Sequence, residues 1–375
     1  PGPATHSRTM DGPGPDAHTD PAMNPNPDTG AVAESHAFDP VALQNYLRPR
    51  LAGFDGPLTI EQFKGGQSNP TYKLITPDGC CVLRSKPGPA ARLLASAHAV
   101  EREYAVMQAL QGSAVPVPRT LLLCEDEGVI GRAFYVMEFI KGRVLWEQSL
   151  PGFEPAGRAA VYGEMNRVIA ALHTVDIDAA GLSGFGRPGN YFDRQIGRWS
   201  KQYLASATEP IDAMHRLMDW LPAHVPIGAR DERQVSVVHG DFRLDNLVFH
   251  PNEPRIVAVL DWELSTLGHP LADFSYHCMS WHITPGAFRG IGGLDLASLG
   301  IPTERAHVQR YCERTGRTHS GNDAAAVMAD WNFYLAYNLF RLAAILQGIQ
   351  RRVIDGTASS AQARAAAAGA RPRST

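Results

Sequence analysis

Cysteine is scarce and unpatterned in this chain. Its five cysteines, Cys80, Cys81, Cys124, Cys278 and Cys312, are odd in number and form no CxxC pair. That argues against a disulfide framework or a zinc knuckle, so reduced thiols in a cytoplasmic setting are expected. Long apolar runs are also missing. The best one, around Phe333–Ile349, is interrupted by Asn338, Arg341 and Gln347, and no membrane span is expected. No basic segment leads into an apolar one near the N-terminus, so no secretory signal is expected. Charge is modest, at 19% of residues and a formal net charge of −3. Nothing at the whole-chain level therefore draws nucleic acid or an anionic membrane.

What is present is a chain of 375 residues, 44% of them apolar. That is enough for one large two-lobed unit or two domains around a packed core. Residues 1–36 are rich in Pro, Gly, Asp and Asn and nearly lack large aliphatics. They are expected to be a disordered tail, with Met23 a candidate start and order beginning near Phe38. The Ala/Arg/Ser segment 357–375 is expected to be a second tail. Between them, 37–138 reads as a first lobe and 139–356 as a second.

The first lobe reads as strands with one long helix. A short helix through Val41–Leu47 precedes a strand at Leu58–Phe63. The strand runs into a small-residue loop holding Gly65, Gly66, Gln67 and Ser68. Two strands joined by such a loop can lay backbone N–H groups over phosphates, although an ordinary Gly turn reads the same. A strand at Thr71–Ile75 and another at Cys80–Arg84 follow. Arg84 and Lys86 lie two apart, so both point to one side of an extended strand; either could meet phosphates. A helix from Ser96 to Leu110 presents Glu101 and Glu103, and Glu103 is the better placed to hold a phosphate-binding cation. Arg119–Cys124 and Arg132–Phe139 read as two more strands, the second as the edge strand and the hinge. An adenine ring there would meet backbone groups near Glu138, Phe139 and Ile140.

The second lobe reads as mainly helical. Helices are expected at Ala156–Leu172, Arg194–Ala207, Ile211–Leu221, Thr303–Thr315 and Asp323–Val353, with a Gly-rich loop at 173–193 that exposes Tyr191 and Phe192. In its midst, Val235–Val238 delivers His239-Gly240-Asp241, and Ile256–Leu260 delivers Asp261. Asp241 stands five residues before Asn246, and an apolar run ends in Asp261 and Glu263. This order suits phosphoryl transfer from a nucleotide. Asp241 would orient the accepting hydroxyl or take its proton; Asn246 and Asp261, with Glu263 behind them, would hold Mg²⁺. His239 reads as a structural residue of the loop. Arg243 could neutralise a phosphate or pair with Asp245. Asp273 could cap a helix or bond to the loop. A metal hydrolase built on His239, Asp241, Asp245, His250 and Asp261 is the weaker reading, because it requires neither the Asn at that offset nor the preceding strand–helix lobe. His277 and His282 read as ordinary helix or loop histidines.

With HGDxxxxN at 239–246 and LDWE at 260–263, the chain resembles the aminoglycoside phosphotransferase family, a branch of the protein-kinase-like fold. It is most similar to the kinase-like domain found alone in bacteria and fused to acyl-CoA dehydrogenases in animals. GQSNPTY (66–72), VLRSKPGP (82–89), FYVMEFIKGR (134–143), HGDFRLDNLVFHP (239–251) and AVLDWELSTLGHPLADFSY (258–276) carry the likeness. The resemblance implies an α+β, bilobal fold with an antiparallel-sheet N-lobe and a mainly helical C-lobe. It also implies ATP, Mg²⁺ and a small-molecule hydroxyl acceptor, with a hydroxyacyl-CoA as the candidate from the animal fusions. The chain departs from the kinase pattern in having Arg84 where kinases place Lys. Arginine is a fixed fork and lysine a point charge, so the phosphate geometry would differ.

Aminoglycosides are polycations and call for an acidic pocket. The late helix, expected to help wall the acceptor site, carries Asp323, Asp330 and Asp355 against Arg341, Arg351 and Arg352, with Trp331, Phe333, Tyr334, Tyr337 and Phe340. A balanced, aromatic wall suits an apolar or anionic acceptor better, unless these rings pack the core.

Overall fold

The computed structural model describes residues 29–64, 69–88, 99–187, 189–286, 289–317 and 323–356. The N-lobe is a six-stranded antiparallel sheet of β1 (Thr29–Gly30), β2 (Thr59–Phe63), β3 (Thr71–Thr76), β4 (Gly79–Ser85), β5 (Thr120–Cys124) and β6 (Phe134–Glu138), in the order β1-β2-β3-β4-β6-β5. Two helices cover its faces. On one side α1 (Pro40–Leu47) packs Leu43 and Leu47 against Tyr72, Leu74, Leu83, Phe134 and Val136. Asp39 caps α1 by accepting from the Val41 N–H at 2.8 Å, and Pro40 supplies a fixed φ at the first helical position. On the other side α2 (Val100–Leu110) packs Val106, Met107 and Leu110 among Val82, Tyr135 and Met137. The period-two alternation along β4 therefore turns Val82 and Arg84 toward α2.

The C-lobe begins with β7 (Arg143–Val144), then α3 (Pro155–His173), α4 (Tyr191–Ser206) and α5 (Asp212–Ala223). A group of short strands follows: β8 (Ser236–Val238), β9 (Leu247–Phe249), β10 (Ile256–Val259) and β11 (Thr266–Gly268). The last helices are α6 (Pro270–Cys278), α7 (Leu296–Leu299), α8 (Glu304–Arg314), α9 (Ala324–Ala329) and α10 (Trp331–Ile354). Strands β10, β9 and β7 form one antiparallel sheet, and β11 and β8 a second. One apolar core runs through the C-lobe helices and up to α2. Among the described residues, no helix is long and apolar enough to cross a membrane.

Several expectations need correction. Order begins before Phe38: Thr29 and Gly30 pair with Phe63 and Gln62, and the His36 carbonyl accepts from the Tyr72 hydroxyl at 2.9 Å and from Arg132. Backbone pairing needs no large aliphatic side chain, so composition missed it. The edge strand beyond β6 is β5. The run Phe134–Met137 in β6 is fully buried and pairs on both sides, as a nearly continuous apolar strand should. Tyr191 and Phe192 open α4, and Phe192 is buried among Phe333, Tyr334 and Tyr337. The late helix is two helices that meet at Asp330. Its aromatic residues Trp331, Phe333, Tyr334, Tyr337 and Phe340 are all at most 4% exposed, so they pack the lobe. The expected start of α2 at Ser96 lies outside the described residues.

Candidate active site

Strands β8 and β10 each end on one aspartate of the site. The link between them is short: β9 pairs with β10 in the register Leu247↔Val259, and the Leu260 N–H donates to the Asn246 carbonyl at 2.8 Å. Asn246 and Asp261 thus leave neighbouring strand ends. Asn246 Nδ2 donates to the Asp241 backbone carbonyl at 2.8 Å and to its Oδ2 at 3.1 Å, which fixes the five-residue loop between them. Asp261 adopts φ +67°, a left-handed conformation uncommon for a residue with a Cβ.

Asp241 is held on both carboxylate oxygens. Oδ1 accepts from the Tyr276 hydroxyl at 2.6 Å, and Oδ2 lies 3.1 Å from the Arg243 guanidinium. Burial pushes its pKa up, against the pull of Arg243 and the Tyr276 hydrogen bond. Arg243 also reaches Asp245 at 3.4 Å, and Asp245 is gripped from its other side by Arg289 at 2.5 Å.

The loop is carried from beneath by α6. Asp273, fully buried, accepts from the backbone N–H groups of His239 at 2.6 Å and Gly240 at 2.9 Å, and lies 3.2 Å from His173 Nε2. Of its two expected roles it takes the loop; the α6 cap is His269, which accepts from Leu271 N–H. His239 is buried, with Nε2 2.8 Å from the Leu260 carbonyl and Nδ1 accepting from Asp241 N–H, so it ties the two strand ends together. Gly240 sits at φ +82°, and a Cβ there would come within 2.8 Å of the Leu264 carbonyl oxygen. The Arg341 guanidinium on α10 donates to the Gly240 carbonyl.

From the N-lobe, Arg84 reaches into the same site. Its Nε lies 2.9 Å from Glu103, and its Nη2 lies 2.6 Å from Asp261 and 3.6 Å from Glu263. Glu103 in turn accepts from Asn69 at 2.7 Å and from the Tyr135 hydroxyl at 3.1 Å. Burial works to lower the Arg84 pKa, but Glu103 and then Asp261 hold it well above the usual range. Arg84 and Glu103 are therefore the strand–helix ion pair that faces Asp261. Lys86 instead pairs with Glu101 in a more exposed position.

Of the remaining sequence candidates, Gly65, Gly66, Gln67 and Ser68 lie outside the described residues. Glu138, Phe139 and Ile140 sit at the end of β6, where Glu138 accepts from Arg119 N–H at 2.8 Å and Lys73 stands over the Phe139 ring. Sequence reasoning missed Tyr276, Arg289 and Arg341. Tyr276 had a signal: it stands three residues after Asp273, on the same helical face. His277 pairs with His307 at 3.1 Å and His282 with Glu304 at 2.9 Å.

The donor set Asn246, Asp261 and Glu263 offers only oxygen, as a hard cation such as Mg²⁺ prefers. Among the described residues, no three His, Cys, Asp or Glu side chains converge to hold a metal by themselves. A cleft of about 330 Å³, including its open mouth, adjoins Asp241 on the C-lobe side and is lined by Phe242, Arg243, Tyr276, Met279, Ile283 and Arg289, among others.

A buried strand–helix ion pair that faces Asp261, with Asp241 and Asn246 held on the adjoining loop, is the arrangement of a kinase-like fold. The model of the phosphotransferase enzyme family matches residues 59–311, and the chain belongs to that family. It is 46% identical over 341 residues to mouse acyl-CoA dehydrogenase family member 10, covering 90% of this chain and 30% of that protein. Human acyl-CoA dehydrogenase family member 11 is 40% identical over 338 residues, covering 89% and 42%. The chain thus spans well under half the length of these curated relatives. Among solved structures, a Ralstonia eutropha JMP134 protein provisionally named an aminoglycoside phosphotransferase is 61% identical with a TM-score of 0.79, covering 90% of this chain and 96% of that one. Choline kinase from Cryptosporidium parvum shares the fold at 12% identity and a TM-score of 0.60, covering 83% and 90%.

Proposed function

We propose that the chain is an ATP- and Mg²⁺-dependent phosphotransferase acting on the hydroxyl of a small molecule, with a hydroxyacyl-CoA favoured over an aminoglycoside. The observation that carries the reading is the meeting of Arg84 and Glu103 from the N-lobe with Asp261 and Glu263 from the C-lobe. A cation held at that junction can face nucleotide phosphates while a carboxylate beside it faces a metal. Asp241 would orient the acceptor hydroxyl and receive its proton. Asn246 and Asp261, backed by Glu263, would hold Mg²⁺, which when bound would neutralise phosphate charge. The loop with Gly65, Gly66, Gln67 and Ser68, and the hinge at Glu138, Phe139 and Ile140, would cover and seat the nucleotide.

Two observations favour the acyl-CoA acceptor. The curated relatives are named as acyl-CoA dehydrogenases, and the cleft beside Asp241 is lined by Arg243 and Arg289 with no carboxylate among its lining residues. Their carboxylate partners Asp241 and Asp245 offset the two guanidiniums, so the cleft offers a polycation no net negative charge, while Arg289 still presents N–H groups to an anion.

The test is a substitution with two readouts. Asp241→Ala should abolish ADP release with a panel of hydroxyacyl-CoAs, amino alcohols and aminoglycosides while leaving nucleotide binding largely intact. Undiminished phosphorylation in that variant would sink the assignment. Nucleotide binding by the unaltered protein without transfer to any acceptor would favour a catalytically silent nucleotide-binding module. Turnover confined to kanamycin-like compounds would favour antibiotic phosphorylation.

A further inference from the structure

Arg243 and Arg289 are not part of the phosphate-facing cluster around Arg84, yet both line the cleft beside Asp241. They are joined through one carboxylate. Asp245, with a side chain only 5% exposed, lies between them, with Arg289 at 2.5 Å and Arg243 at 3.4 Å. Arg243 then touches Asp241 at 3.1 Å. The chain of contacts runs from the cleft mouth to the carboxylate on which the hydroxyl would act.

The backbone holds Arg289 in place at a conformational cost. It adopts φ +52°, a left-handed conformation. Its neighbour Gly290 admits no side chain, because a Cβ would stand 1.8 Å from the Ile283 carbonyl oxygen. Ile291 N–H donates to the Ser280 carbonyl and Gly292 N–H to the Ile283 carbonyl, both at 2.8 Å, so the segment is bonded to the far wall of the cleft. Strained backbone of this kind persists where the surroundings over-determine it, and it recurs at ligand clamps. The Arg289 side chain remains 29% exposed, and its guanidinium stands 5.8 Å over the ring of Trp146, itself 51% exposed. Behind the two cations, Phe242, Met279 and Ile283 give the cleft an apolar floor.

We infer that Arg289, with Arg243 behind it, is the specificity-determining cation of the acceptor site. It reads an anionic group on a hydroxylated acceptor whose apolar stem lies along Ile283. The inference rests on the phosphotransferase reading and names the chemical class of its acceptor. An incoming carboxylate or phosphate would share Arg289 with Asp245. Asp245 would then draw more strongly on Arg243 and loosen its hold on Asp241 Oδ2, leaving that oxygen to receive the acceptor hydroxyl. The anion can be the carboxylate of a free hydroxy acid or the phosphates of a CoA thioester; both offer oxygens to a planar fork.

The experiment compares the unaltered protein with Arg289→Met and Arg289→Lys. Binding of pentanoate and pentanoyl-CoA, which carry no hydroxyl to phosphorylate, is measured by calorimetry in the presence of a non-hydrolysable ATP analogue and Mg²⁺. Turnover is measured on 4-hydroxypentanoate, 4-hydroxypentanoyl-CoA and neutral 1,4-pentanediol. Arg289→Met should weaken binding of at least one anionic probe tenfold or more. It should lower the anion-to-diol ratio of kcat/KM by a similar factor, mainly through KM, and Arg289→Lys should recover part of both. Loss with pentanoate identifies the carboxylate as the group read; loss with the thioester alone identifies the CoA phosphates. If the unaltered protein turns over none of the hydroxylated compounds but binds the anions through Arg289, the phosphotransferase reading falls and the anion site stands. If neither anion binds, or Arg289→Met leaves both affinities unchanged, or the diol suffers as much as the anions, the inference is overturned.

Discussion

Removing the two halves of the Arg84–Glu103 pair, singly and together, separates what the pair does for the fold from what it does for the nucleotide. Glu103 has a side chain 1% exposed, whereas Asp261 and Glu263 are 29% and 17% exposed. Arg84→Met therefore strands one carboxylate in the interior and leaves two that water can still reach. Breaking a buried ion pair by removing one partner costs about 3–5 kcal/mol. Burial already pushes the Glu103 pKa up, so proton uptake by Glu103 should limit the loss to the lower end. Glu103→Met strands no charge, since Arg84 keeps Asp261 and Glu263. It does take the Glu103 acceptor from the Tyr135 hydroxyl, at about 1–3 kcal/mol. The double variant lacks the stranded carboxylate, so its loss should fall short of the sum by roughly 2 kcal/mol or more. Urea unfolding followed by circular dichroism and tryptophan fluorescence gives the three values, and calorimetry with ATP and Mg²⁺ gives nucleotide affinity. All three variants should bind ATP more weakly, the double included. Stability losses that add to within about 0.5 kcal/mol would show the two side chains to be energetically independent and would refute the reasoning.

Acid should unfold the protein through its buried histidines. Burial lowers the pKa of His173, His269, His277 and His307, to about 3 for His269 and about 4 for His277. Below about pH 6.5 the unfolded chain gains protons that these folded imidazoles refuse, so stability falls as pH falls. His277 alone contributes roughly 3 kcal/mol of that loss between about pH 6.5 and 4. Thermal melts that stay level from pH 7.5 to 5 would contradict this. Tyr276→Phe removes the donor that lowers the Asp241 pKa. The carboxylate would then need a higher pH to ionise, so the acid limb of the pH–rate profile should move up. A limb that stays put or moves down would remove Tyr276 from the account of Asp241.

The residues that meet where the two lobes join were legible because each is tied to a period or an offset. Arg84 faces α2 by the alternation of β4, and Asp241, Asn246 and Asp261 follow from a fixed loop length and an apolar run that becomes β10. Which of Arg84 and Lys86 enters the site was not legible, since two residues of the same charge and phase compete for glutamates on one helix. The helix glutamates decided it: Glu103 is buried beneath Tyr135, and Glu101 is not. The role of the late aromatic rings was not legible for a physical reason. Aromatic rings on α10 could serve either a core or a pocket, and only tertiary packing chooses. The residues that do line the cleft beside Asp241 come from the loop after Gly240, from α6 and the turn that follows it, and from an irregular segment near Arg289, where no periodicity announces a side chain's direction.

The two-residue strand Thr29–Gly30 also guards a boundary. It pairs along β2, which would otherwise be the outer strand of the sheet on that side. A few residues later, the His36 carbonyl takes hydrogen bonds from Tyr72 and Arg132, both nearly buried. A protein shortened to Phe38, where large aliphatic residues begin, would present an unpaired ladder of five residues to its neighbours and leave two polar groups without their acceptor. Such an open edge is a template for association between chains. A segment poor in large aliphatic residues thus covers a sheet edge that would otherwise be open to other copies.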